Sequence, residues 1–120
     1  MATTEGPPVR APKMTLQTCQ VLRAFLEEPS EEMYGLQIGE KVELESGTIH
    51  PILARLERVG WVESRWEDAD PREQKRPRRR YYRLSSAGAV QAPKEIARII
   101  SRRGALSYVL RPDLNGGAST

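Results

Sequence analysis

With one cysteine, one histidine and one phenylalanine in 120 residues, the chain lacks the side chains on which several classes of chemistry depend. A lone Cys19 excludes an internal disulfide, and with His50 as the only imidazole there is no thiolate or imidazole cluster to hold a metal, so neither metal nor cofactor is expected. There is no glycine-rich phosphate loop and no clustered acid and base beside an evident pocket, which argues against an enzyme. No apolar run approaches the length that spans a bilayer. Met1 to Pro12 has neither the basic start nor the apolar stretch of a signal peptide, so no membrane partner and a cytoplasmic location are expected.

Charge is present but unevenly spread. The net value is only +3, yet Pro71 to Arg83 holds seven basic residues (Arg72, Lys75, Arg76, Arg78, Arg79, Arg80 and Arg83) against the single acid Glu73. One basic segment on an otherwise slightly acidic body suggests a directed contact with a polyanion. The length allows one domain, and apolar residues make up 38% of it, enough for a core in a size class that often gains stability by dimerising.

Along the chain, residues 1–13 with Gly6, Pro7, Pro8 and Pro12 read as a flexible arm and 111–120 as a flexible tail. Met14 to Glu28 has the apolar spacing of a first helix, ended by Pro29. Ser30, Glu31 and Glu32 suit the cap of a second helix over Tyr34 to Glu45, in which Gly35 permits close packing. Ile49, Ile52 or Leu53, Leu56 and Val59 mark a third helix over Ser46 to Val59, stopped by Gly60; Pro51 requires its start near Gly47 or Thr48. Periodicity then changes to two over Trp61 to Trp66 and Arg80 to Leu84, predicting two strands around a long, mobile basic loop, Glu67 to Arg79. Ser85 and Ser86 suit the cap of a last helix, which Pro93 is expected to kink or restart.

Three short helices and then two strands with a long loop is the order of a winged helix-turn-helix. The expected class is α+β, mostly α, with a two-stranded wing and a C-terminal dimerisation helix: 14–92 as the DNA-binding domain and 93–110 as the dimerisation segment. The third helix would enter a major groove. With Ile49, Leu53 and Leu56 inward, Thr48, His50, Ala54, Arg55 and Arg58 fall on or near its outward side. Ser46 and Thr48 could bond phosphates or bases at the helix N-terminus. Arg55 could reach a phosphate or a guanine edge or simply be solvated, and His50 could contact DNA or merely cap or pack nearby. In the wing, Lys75, Arg76, Arg78, Arg79 and Arg80 would neutralise phosphates or enter the minor groove, or else form an ordinary solvated face. Trp61, Trp66, Tyr81 and Tyr82 suit either packing around the sheet or stacking on unpaired bases. Leu16, Cys19 and Phe25 on the first helix and Ile96, Ile99 and Ile100 on the last are expected to meet a second copy, the alternative being completion of a monomer core. A twofold dimer reads an inverted repeat of double-stranded DNA. The competing class is an adaptor that docks an acidic protein through the basic loop.

These residues resemble the PadR family of winged-helix transcriptional regulators. The likeness runs from Tyr34-Gly35 through Ser46-Gly47-Thr48-Ile49-His50-Pro51-Ile52-Leu53-Ala54-Arg55-Leu56-Glu57 and Gly60-Trp61-Val62-Glu63-Ser64 to Arg80-Tyr81-Tyr82-Arg83-Leu84-Ser85, about half the chain. The resemblance implies a homodimer, usually a repressor, with dimer contacts from the first and last helices. It also implies DNA contacts at Ser46, Gly47, Thr48, Pro51 and the wing, and often a small hydrophobic effector near the dimer interface. His50 is a departure, since the family commonly has Tyr there.

Overall fold

The computed structural model describes residues 11–110, with side chains to Arg103. Most of the expected arm and all of the expected tail lie outside the described residues.

Helix α1, Leu16–Glu27, begins where Thr15 takes extended backbone and its hydroxyl accepts the Thr18 N–H at 3.0 Å, satisfying one of the first-turn donors. Its inner face carries Cys19, Val21, Leu22, Ala24 and Phe25 into the core. After Pro29 the chain forms a short strand, β1, Met33–Tyr34, where only a helix cap was expected. Tyr34 rather than Ser30 then caps α2, Gly35–Val42, and its N–H donates to the Gln37 side chain at 3.0 Å. The helix ends three residues before the expected Glu45, because Glu43 adopts left-handed backbone with φ 59°.

Helix α3, Ser46–Arg58, buries Ile49, Leu56 and both Ile52 and Leu53. Its end is a Schellman turn: Gly60 at φ 81° sends its N–H to the Glu57 carbonyl at 3.0 Å, and Trp61 sends its own to that of Leu56 at 2.9 Å. Only glycine takes that backbone without strain, which is why the helical spacing stops there.

Strands β2, Val62–Trp66, and β3, Arg80–Leu84, pair antiparallel from Val62 opposite Leu84 to Trp66 opposite Arg80. β1 adds to the outer edge of β3, so the sheet has three strands in the order β1–β3–β2, one more than the periodicity revealed. The loop between β2 and β3 includes a helical turn, α4, Pro71–Gln74.

Helix α5, Ser86–Leu110, starts where Ser85 accepts the Gly88 N–H at 3.0 Å and donates to the Gly60 carbonyl. Gly88 lies so close to the Trp61 carbonyl that a Cβ there would collide with it. The helix runs through Pro93 instead of restarting at it. A proline in a helix interior costs about 3 kcal/mol, and here Ala92 and Ile96, buried on either side, hold the axis against the core.

That core gathers Val21, Leu22 and Phe25 from α1, Ile38 from α2, the inner face of α3, Val62 and Leu84 from the sheet, and Ala92 and Ile96 from α5. Three residues expected to face a second copy therefore lie inside: Cys19, Phe25 and Ile96 are all under a tenth exposed, because α5 folds back on α1 within one chain. Leu16 and Ile100 remain on the surface at 51% and 56%, and Ile99 is half-buried against the core.

Candidate nucleic-acid interface

With Ile49, Ile52, Leu53 and Leu56 turned inward, α3 leaves Ser46, Gly47, His50, Pro51, Ala54 and Arg58 exposed, and Thr48 half-buried. Their spacing of three to four places them along one outward stripe. No side chain caps the first turn of α3, so its N–H groups and the positive end of the helix dipole stand at the Ser46 end of that stripe. His50 rests beside α2: a Cβ on Gly35 would stand 3.2 Å from its Cε1, so the absence of a side chain at Gly35 gives the imidazole its place.

Arg55 departs from the expectation. It turns toward α1, where its Nη2 donates to the Thr18 hydroxyl at 3.3 Å and its Nε is buried without a partner. One position along α3 rotates a side chain by about 100°, and that step carries Arg55 off the outward stripe, between it and the core face.

The wing is tied together from within rather than left as a bare loop of charge. Glu67 is its hub. The carboxylate accepts both terminal nitrogens of Arg76, at 2.8 and 3.0 Å, and the backbone N–H of Arg79 at 3.0 Å. These donors, the Arg76 guanidinium foremost and the Arg79 N–H next, hold the Glu67 carboxyl down at about 2. Asp70 caps α4 by accepting the Arg72 N–H at 2.9 Å, and Lys75 closes the turn with φ 58°. Arg78 donates to the Ala69 carbonyl at 3.1 Å, Arg79 lies 4.1 Å from the centre of the Tyr34 ring, and Arg83 pairs with Glu63 at 3.5 Å. Arg80 is held by Glu57 and Ser64. Among the described residues, Arg58, Arg72 and Lys75 have no ion-pair partner, and Arg78 meets only a carbonyl.

The aromatic residues do not form one platform. Trp61 and Tyr82 are buried, and Tyr81 packs edge to face on Tyr34 at 5.6 Å with the Arg65 guanidinium 5.2 Å from its ring centre. Arg65 in turn makes a two-pronged bond to Glu32 at 2.6 and 2.7 Å, which lowers the Glu32 carboxyl. Among the described residues only Trp66 presents a mostly exposed ring, so stacking along a single strand has no continuous surface to use there.

Sequence reasoning missed Glu57, Ser64 and Glu67. The alternation of Ser64 and Trp66 put them on one face, but only the strand register shows that Arg80 stands opposite. Among the described residues no three His, Cys, Asp or Glu side chains gather as metal ligands, and no helix is long and apolar enough to cross a membrane.

Residues 24–94 match the transcriptional regulator PadR-like family. Among solved structures, a PadR family transcriptional regulator from Eggerthella lenta DSM 2243 is similar at 21% identity and a TM-score of 0.61, over 78% of this chain and 83% of that one. A transcriptional regulator homologue from Pyrococcus horikoshii OT3 is similar at 17% identity and a TM-score of 0.60, over 77% and 84%. Overoxidized AbfR bound to DNA is similar at 26% identity and a TM-score of 0.57, over 88% and 72%. No curated protein matches the chain in sequence. The matched segment contains the exposed stripe of α3 and the whole wing, and it covers more than half of the residues: the chain belongs to the PadR-like family of transcriptional regulators, with their winged-helix fold.

Proposed function

We propose that this regulator binds duplex DNA sequence-specifically, as a homodimeric repressor at an inverted-repeat operator. The observation that carries the reading is the stripe on α3, where seven side chains or glycine positions free of the core lead from an uncapped helix N-terminus to Arg58. Ser46, Gly47, Thr48, His50 and Pro51 would meet base edges and phosphates in the major groove, and Arg58 a phosphate beyond them. Lys75 and Arg78, with Arg72, would neutralise phosphates beside the groove, while Arg76, Arg79 and Arg80 give the wing its shape as well as its field. Arg55 is left out of the contact set.

The winged-helix unit over 14–92 would bind DNA and the outer part of α5, from 93 to 110, would dimerise. Leu16, Ile99 and Ile100 supply an apolar face for this. Beside it, Leu26, Pro93, Ile96 and Ile100 line an open groove of about 470 Å³ that suits a small hydrophobic effector. Such a regulator works in the cytoplasm.

The test is selection of bound duplexes from a genomic fragment library, repeated at raised salt. An enriched inverted repeat supports the dimeric reading. Enrichment without symmetry removes the twofold operator, and no enrichment at any salt turns the basic wing into a docking surface for an acidic protein.

A further inference from the structure

On the sheet face that packs against α3, side chains leave the core in three register steps. Val62 opposite Leu84 is buried, Ser64 opposite Tyr82 comes next, and Trp66 opposite Arg80 is outermost. At the middle step α3 reaches the wing. The Ser64 hydroxyl donates to the Glu57 carboxylate at 2.6 Å and accepts from Arg80 Nε at 3.0 Å, while Arg80 Nη2 reaches the same carboxylate at 3.4 Å. A hydroxyl has one proton and two lone pairs, so Ser64 can serve both partners at once. Arg80 is thereby held along one edge, through Nε and Nη2, and its guanidinium carbon stands 5.2 Å from the centre of the Trp66 ring.

Trp66 is 57% exposed, against 3% for Trp61. It shares the sheet face of Ser64, Tyr82 and Arg80, the face that meets α3 at Glu57, so it stands on the side of the wing next to the helix proposed to enter the major groove. A ring already held by a cation loses less freedom on binding than a free one. An indole is flat and uncharged, with one N–H donor; such a surface suits deoxyribose rims and the apolar walls of a minor groove. We propose that Trp66 is an uncharged DNA-contacting residue of the wing, aimed by Glu57, Ser64 and Arg80 as positioning residues. This rests on the duplex-binding reading above.

The test is acrylamide quenching of tryptophan emission in the full-length protein, with and without saturating mixed-sequence duplex DNA. Since Trp61 is buried, the quenchable emission comes from Trp66. Duplex should reduce quenching severalfold. Trp66→Ala should weaken binding about tenfold while leaving the salt dependence unchanged, because no charge is lost. Trp66→Phe, which keeps a flat ring, should retain most of the affinity and shows that the loss is not misfolding. Glu57→Gln and Ser64→Ala should raise quenching in the free protein and weaken binding, with no added effect once Trp66 is alanine. A Trp66 still fully quenchable under saturating duplex, or Trp66→Ala binding like the parent, overturns the proposal and leaves duplex binding intact. Absence of binding to any duplex overturns both.

Discussion

Arg55 on α3 is bonded not outward but to Thr18, whose hydroxyl lies 3.3 Å from its Nη2, joining α3 to the first turn of α1. Thr15, the residue that caps α1, stands 3.0 Å from the same hydroxyl. The cap of one helix and the middle of another therefore share a hydrogen-bond chain.

Arg55→Ala should accordingly lower stability by about 1 kcal/mol, the net worth of a side-chain hydrogen bond, and leave the salt dependence of duplex binding unaltered. Urea unfolding with salt-dependent DNA titration measures both. A flattened salt slope would return Arg55 to the phosphate contacts.

Arg58→Ala and Lys75→Ala should behave in the opposite way. Neither cation has an ion-pair partner among the described residues, so stability should hold while the slope of log affinity against log salt falls by about 0.9 for each phosphate contact removed. The same titration at several salt concentrations decides it.

How far these assignments could be read beforehand depended on the range of the forces involved. The three helices, the Gly60 stop and the two wing strands follow from local spacing, and so does the outward stripe apart from Arg55. Spacing along α3 places Arg55 near the boundary of the core face, and which way it turns depends on Thr18, thirty-seven positions earlier. Likewise β1 is two residues long and exists because Tyr81 and Tyr82 offer an edge; Met33 and Tyr34 carry no periodicity of their own. Cys19, Phe25 and Ile96 were apolar on amphipathic helices in any case, but only the return of α5 onto α1 tells a shared core from a private one. In the wing, a run of arginines looks unpartnered until Glu67 and Glu57 are brought to it.

Glu67 gives a pH signature. Its carboxyl, held at about 2 against an ordinary 4.5, stabilises the folded wing fully above 4.5, and that contribution is lost progressively as pH falls toward 2. Amide-exchange protection of the Arg79 N–H should thus hold down to about pH 4.5 and decline below it. Glu67→Gln should show reduced protection already at neutral pH. Equal protection in the variant would mean that Glu67 is not the hub.

Gly88→Ala should destabilise the protein by about 1–3 kcal/mol, since the added Cβ meets the Trp61 carbonyl, which is backbone and cannot swing aside. Gly35→Ala meets only the exposed His50 ring. It should cost little stability while changing duplex affinity through displacement of that ring. Thermal unfolding and DNA titration of the two variants separate these effects.

Leu16→Lys combined with Ile100→Lys should shift the protein toward monomer with little loss of stability, because both side chains are more than half exposed. Sedimentation across a concentration series measures it, and an unchanged assembly state would remove this face from the interface.

The tight seat of Gly88, with Ala92 and Ile96 buried beyond it, anchors the near end of α5 to the rest of the fold. From Gly88 to Leu110 the helix extends for 23 residues, about 35 Å at 1.5 Å per residue. A tilt of about 5° over that length would displace the far end by about 3 Å. A molecule wedged into the groove between α1 and α5 would push on the helix over Pro93 to Ile100, part-way along that length. In the proposed dimer the leverage would change the separation of the two reading heads by several ångströms, enough to take them out of phase with successive turns of the double helix.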